Sequence, residues 1–114
     1  MYSYEEYRRI AEYLARMVWQ KKGNYIAFFP SYRLMEDVFR IYEEEFSVSW
    51  VRCICQNPSM NEKEREEFLE EFTEDPETSL LGFCIMGGIF SEGIDLTGKR
   101  LIGAAVVGTG LPQV

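Results

Sequence analysis

The 114 residues are enough for one domain, and with 46% apolar and 15% aromatic side chains a single packed core is expected rather than a disordered segment. The apolar runs are short and broken by glycine or polar residues, which argues against any membrane span. Residues 1–6 lack the basic stretch and apolar block of a signal peptide. The net charge of −7 sits in one place: residues 58–77 carry nine acids and two bases, and the rest of the chain carries ten of each. A uniformly acidic protein would repel nucleic acid, whereas one acidic segment on a neutral body does not.

In chain order, Ser3 and Glu6 form the pattern of a capping box. From there Tyr7, Ile10, Ala11, Leu14, Met17 and Val18 recur at steps of three and four, which predicts an amphipathic helix. Lys21 and Lys22 are expected in its last turn, where cations suit the dipole, with Gly23-Asn24 stopping it. Residues 25–29 predict a buried strand. Pro30 ends it, and Ser31 is placed to cap a second helix running to Glu45 on Leu34, Met35, Val38, Ile41 and Tyr42. A second strand is expected over 48–56, broken by Asn57-Pro58. Ser59 or Asn61 then caps a third helix with an apolar stripe of Phe68, Leu69 and Phe72 and an acidic outer face, closed by Asp75-Pro76. Residues 80–86 and 101–107 predict the last two strands. Strands that alternate with helices and are apolar on both faces imply an α/β, three-layer domain with a mainly parallel sheet covered on both sides. The spatial order of the strands is not readable from this pattern.

The three cysteines, Cys53, Cys55 and Cys84, have no metal-binding spacing and no histidine to join them, so core thiols in a reducing cytoplasm are expected and no metal site. In an open parallel sheet ligands collect beyond the carboxyl ends of the strands, and two segments stand out there. At Phe28-Phe29-Pro30-Ser31-Tyr32-Arg33 a buried strand runs into a helix N-terminus. Free amides and the positive dipole end suit phosphate at such a place; an ordinary N-cap is the plainer alternative. Between the last two strands, Gly87, Gly88, Gly93 and Gly98 with Ser91 make a loop whose backbone can approach a ligand, and Glu92 and Asp95 flank Gly93. A connecting loop with turn glycines is the alternative there. Neither segment holds a nucleophile beside a base, so no catalytic residue is assigned, and no Gly-x-x-x-x-Gly-Lys-[Ser/Thr] phosphate loop occurs.

The two segments in this order and separation resemble motifs IV and V of the DinG/XPD family of ATP-dependent DNA helicases. The match lies in the Gly23-Asn24 turn with the strand into Phe28-Phe29-Pro30-Ser31-Tyr32, then in Gly87-Gly88-Ile89-Phe90-Ser91-Glu92-Gly93-Ile94-Asp95 and Gly110-Leu111-Pro112-Gln113. The resemblance implies that residues 1–114 are one domain, the RecA-like second motor lobe of a cytoplasmic helicase of DNA repair. It also implies that the chain ends before the Gln-x-x-Gly-Arg-x-x-Arg arginine motif, leaving the sheet incomplete at its C-terminus. Glu92, Gly93 and Asp95 would face ATP. Ser31, Tyr32, Gly87 and Gly88 would face the backbone of single-stranded DNA. Mg²⁺ and most of the ATP contacts would belong to the first lobe, joined in cis, and no iron–sulfur cluster ligands lie in this chain. The 114 residues alone would be inactive and would self-associate through surface that the intact lobe buries. A free-standing α/β module that binds a nucleotide or a partner without motor activity is the alternative.

Overall fold

The computed structural model describes residues 4–72, 78–85 and 102–107. Among these, α1 (Tyr4–Trp19), β1 (Asn24–Phe29), α2 (Tyr32–Glu45), β2 (Val51–Cys55), α3 (Glu62–Glu70), β3 (Ser79–Ile85) and β4 (Gly103–Val106) follow one another along the chain. The four strands form one sheet in the order β2-β3-β1-β4, and every pairing is parallel. The α/β expectation is met, and with it the long crossovers that parallel neighbours require.

Side chains alternate across a strand, so each strand feeds two cores. Tyr25, Ala27 and Phe29 of β1 and Leu81 and Phe83 of β3 join the core under α1 and α2. Ile26 of β1 with Leu80 and Cys84 of β3 join the smaller core under α3, with Phe68 and Phe72. Helices therefore cover both faces of the sheet, giving three layers. α1 meets the sheet through Ala11, Leu14, Ala15 and Val18, all fully buried. Its two alanines are small enough to let the helix lie close. The larger core centres on Phe83, which stacks on Phe29 at 5.8 Å and takes the edges of Phe39 at 5.1 Å and Tyr42 at 5.9 Å. Offset stacks and T-shaped contacts are the arrangements the ring quadrupole favours.

Two glycines are fixed by close approach. A Cβ at Gly82 would come within 2.7 Å of the Phe72 ring, so the bare backbone of β3 is what admits that side chain under the sheet. A Cβ at Gly23, where φ is +159°, would collide with Ile102 at the entry to β4. The same residue donates its N–H to the buried Ser79 Oγ at 3.0 Å, and its carbonyl accepts from Leu80 N–H at 3.0 Å. The turn before β1 is thereby pinned to the start of β3.

Several expected boundaries shift. α1 ends at Trp19, so Lys21 and Lys22 lie beyond it and Arg16 is the base of its last turn. Tyr25 Oη donates to the Lys21 carbonyl at 2.6 Å, holding that connection against β1 instead of prolonging the helix. β2 begins at Val51 rather than at 48, because Val51 N–H turns back to the Val48 carbonyl at 3.3 Å. α3 is capped by Asn61, not Ser59, and ends at Glu70, ahead of Asp75-Pro76, which lie outside the described residues. Val106 of β4 is 67% exposed, and among the described residues none from β4 belongs to the α3 core.

Candidate functional site

Four parallel strands present their carboxyl ends along one edge, and in such sheets that is where ligands bind. β1 leaves this edge at Phe29 into Pro30-Ser31, and β3 leaves it at Ile85. These two residues are the last matched pair of adjacent strands. β2 ends at the same edge, at Cys55, paired with Phe83.

The β1 exit opens α2. Ser31 is extended (φ −152°, ψ 158°), and its Oγ accepts the Leu34 N–H at 3.3 Å, while its carbonyl accepts the Met35 N–H at 3.1 Å. Ser31 is thus a working N-cap, as the plainer expectation had it, with its own O–H still able to donate outward. No acceptor within the described residues takes the N–H of Tyr32 or Arg33. Such first-turn amides are the groups that bind anions. Arg33 is exposed beside them. Tyr32 is half-buried with its ring against the core, and burial, followed by the nearby Cys84, pushes its hydroxyl above the usual tyrosine range. It is held at the edge as a neutral phenol.

The β2 exit leads to α3, and its chemistry is opposite. Asn57 Oδ1 accepts from both Ser59 N–H and Ser59 Oγ–H at 2.8 Å, turning the chain toward Asn61. Asn61 Oδ1 accepts from Glu64 N–H at 2.8 Å, and Glu64 accepts from Asn61 N–H at 3.0 Å, a complete capping box. With Glu62 and Glu64 in its first turn, this N-terminus already has its negative charge, whereas the first turn of α2 has none. Of these two helix N-termini only that of α2 suits a phosphate.

Gln56 carries a role that patterning did not single out. It is 8% exposed, its N–H donates to the Phe83 carbonyl at 2.8 Å, and its side-chain Oε1 accepts the Ile85 N–H at 3.0 Å. A polar residue ending an apolar strand just before Asn57-Pro58 was the available signal.

Gly87, Gly88, Glu92, Gly93 and Asp95 lie outside the described residues. Of the expected site, Ser31 and Tyr32 are placed at the carboxyl edge, two and three residues past Phe29, which pairs with Ile85 at the end of β3.

The thiols are core groups. Burial pushes Cys53, Cys55 and Cys84 each up to about 12 from the usual 9, with Glu43 adding to the shift at Cys53 and Cys55 and Cys55 adding to that at Cys84. All three are free, and among the described residues no group of three or more His, Cys, Asp or Glu is placed to hold a metal ion. The unfolded chain loses these thiol protons near pH 9 and the folded chain only near 12, so their contribution to stability is full below pH 9 and is lost between the two values. The melting midpoint should therefore fall between about pH 8 and about pH 10.5, more steeply than in a Cys53→Ala, Cys55→Ala, Cys84→Ala variant. Equal slopes would mean that the thiols are solvated.

A three-layer parallel sheet with a cation-flanked, acid-free helix N-terminus at its carboxyl edge defines an α/β domain of RecA-like type. Residues 14–114 match the family model described as "Helicase C-terminal domain", and the chain belongs to that family. No curated protein and no solved structure matched it. Among the described residues no helix is long and apolar enough to cross a membrane.

Proposed function

We propose that this domain is the second motor lobe of an ATP-dependent DNA helicase of the DinG/XPD type. One observation carries the finer assignment: β1 and β3 are neighbours in register to their last pair, Phe29 with Ile85. The strands that precede the two stretches resembling motifs IV and V, 28–32 and 87–95, therefore end as neighbours at one edge of the sheet.

On this proposal the α2 N-terminus, with Ser31, Tyr32 and the backbone of Gly87 and Gly88, takes phosphates of single-stranded DNA. Glu92, Gly93 and Asp95 serve the nucleotide. The absence of acids from the first turn of α2 supports the phosphate assignment. Mg²⁺ and the triphosphate are held mainly by the first lobe. This lobe's own residues position the DNA backbone and the nucleotide-side carboxylates, and the ATP chemistry is completed across the cleft.

The test is ATP turnover by the full-length protein that carries this lobe, measured with and without single-stranded DNA across a salt series. The expected result is DNA-stimulated turnover, with DNA affinity falling as salt rises and little preference among base sequences. A full-length protein with no ATP turnover at saturating single-stranded DNA overturns the proposal.

A further inference from the structure

We infer that Gln56 is a positioning residue that fixes the exit of β3 at Ile85, the residue from which the chain continues to Gly87 and Gly88; the inference rests on the helicase proposal above.

The parallel ladder between β2 and β3 has a fixed rhythm. The Trp50 carbonyl accepts from Ser79 N–H at its start, and Gln56 N–H donates to the Phe83 carbonyl at its end. In that rhythm the next rung would run from Ile85 N–H to the Gln56 carbonyl. The rung is present, but the acceptor is the Gln56 side-chain Oε1, at 3.0 Å. The substitution has a geometric reason. The β2 backbone must leave the sheet at Asn57-Pro58 to enter the turn closed by Asn57 and Ser59 and then the Asn61 cap. A main chain already turning away cannot also offer its carbonyl to Ile85. The amide side chain extends the ladder by one rung after the strand itself has gone.

The gripped residue matters for its place. Ile85 is the last residue of the central strand β3, and the chain passes from it to Met86-Gly87-Gly88. Phe29, its partner on the other side, opens directly into Pro30-Ser31. The end of β3 is thus held on one flank by β1 and on the other by a single side-chain oxygen. Gln56 is 8% exposed, so water does not readily replace that acceptor, and a buried N–H left without one costs free energy. Among the described residues the oxygen accepts from Ile85, and the Nε2 group donates to no acceptor there. The inference therefore separates an acceptor role from a donor role.

The experiment compares full-length wild type with Gln56→Leu, which removes the acceptor at similar volume, and Gln56→Glu, which keeps an acceptor oxygen whether ionised or protonated. Single-stranded-DNA-stimulated kcat and KM for ATP are measured well below each melting midpoint, with hydrogen exchange at the Ile85 amide alongside. Gln56→Leu should lower kcat by about tenfold or more with a smaller change in KM, as misplacement of a reacting segment does. Its Ile85 amide should exchange at least about tenfold faster. Gln56→Glu should recover kcat to within about threefold of wild type and restore protection. Gln56→Leu retaining kcat within about twofold, or Gln56→Glu failing as badly as Gln56→Leu, overturns the positioning role. A wild-type protein without DNA-stimulated turnover fails at the earlier step, taking down the helicase proposal itself, and the exchange data still show whether the side-chain rung exists.

Discussion

Phe83→Ala should cost this chain about 3–5 kcal/mol of stability, the range for truncating a fully buried aromatic ring. Phe83 has no exposed surface and sits on the central strand β3, where it holds Phe29 in a stack and receives the edges of Phe39 and Tyr42. Removing it takes one partner from each of three aromatic contacts and opens a void between α2 and the sheet, which cannot close because Phe29 and Tyr42 are anchored on β1 and α2. Domains of this size have only about 5–15 kcal/mol in total, so the variant should unfold at a much lower urea midpoint with its slope little changed. Phe83→Leu, which leaves most of the volume filled, should cost less than about half as much. A loss under about 1 kcal/mol for the alanine variant would mean that the ring is not central to the core. The functional consequence follows from position: Ile85, gripped by Gln56, is two residues further along the same strand.

The contrast between α2 and the strands shows what the sequence can and cannot convey. For α2 the cap and every buried position were readable: Ser31 caps, and Leu34, Met35, Val38, Ile41 and Tyr42 are buried, because both features depend on residues a few positions apart. The end of α1 was misplaced because Tyr25, on the following strand, captures the Lys21 carbonyl. The start of β2 was misplaced because a local turn at Val48 competes with the sheet. Strand order was out of reach, since it depends on which pairs bury surface together and not on any one strand's pattern. Gly82 reads as an ordinary strand glycine until the Phe72 ring is found beneath it. Gln56 reads as a polar strand end until the register with β3 shows which amide it must satisfy. At the candidate site, sequence marked Ser31 and Tyr32 as a helix start at a strand's carboxyl end, which they are. That the ring of Tyr32 packs half-buried on the core depends on α2 and β3 together.

On the proposed assignment, Asp95→Ala in the full-length enzyme should lower ATP turnover by about 30- to 1000-fold, equivalent to about 2–4 kcal/mol of barrier, while single-stranded DNA affinity changes by less than about threefold. A carboxylate that holds groups in place around a transferring phosphoryl acts mainly in the transition state, so its removal should appear in kcat rather than in KM. DNA affinity is expected to persist because the phosphate-facing groups are built elsewhere. The α2 N-terminus is set by the Ser31 cap on Leu34 and by the exit of β1, and neither depends on a side chain beyond β3. The two readouts therefore separate the two halves of the proposed site. Equal losses of turnover and DNA affinity would place Asp95 on the DNA side or in the fold of the lobe, and turnover within about twofold of wild type, well under 1 kcal/mol, would remove it from the nucleotide site altogether. The same measurements on Gln56→Leu connect the two assignments. If the rung from Gln56 to Ile85 aims the segment that carries Asp95, the double variant should be little worse than Asp95→Ala alone, since positioning a group that is no longer there has nothing left to contribute.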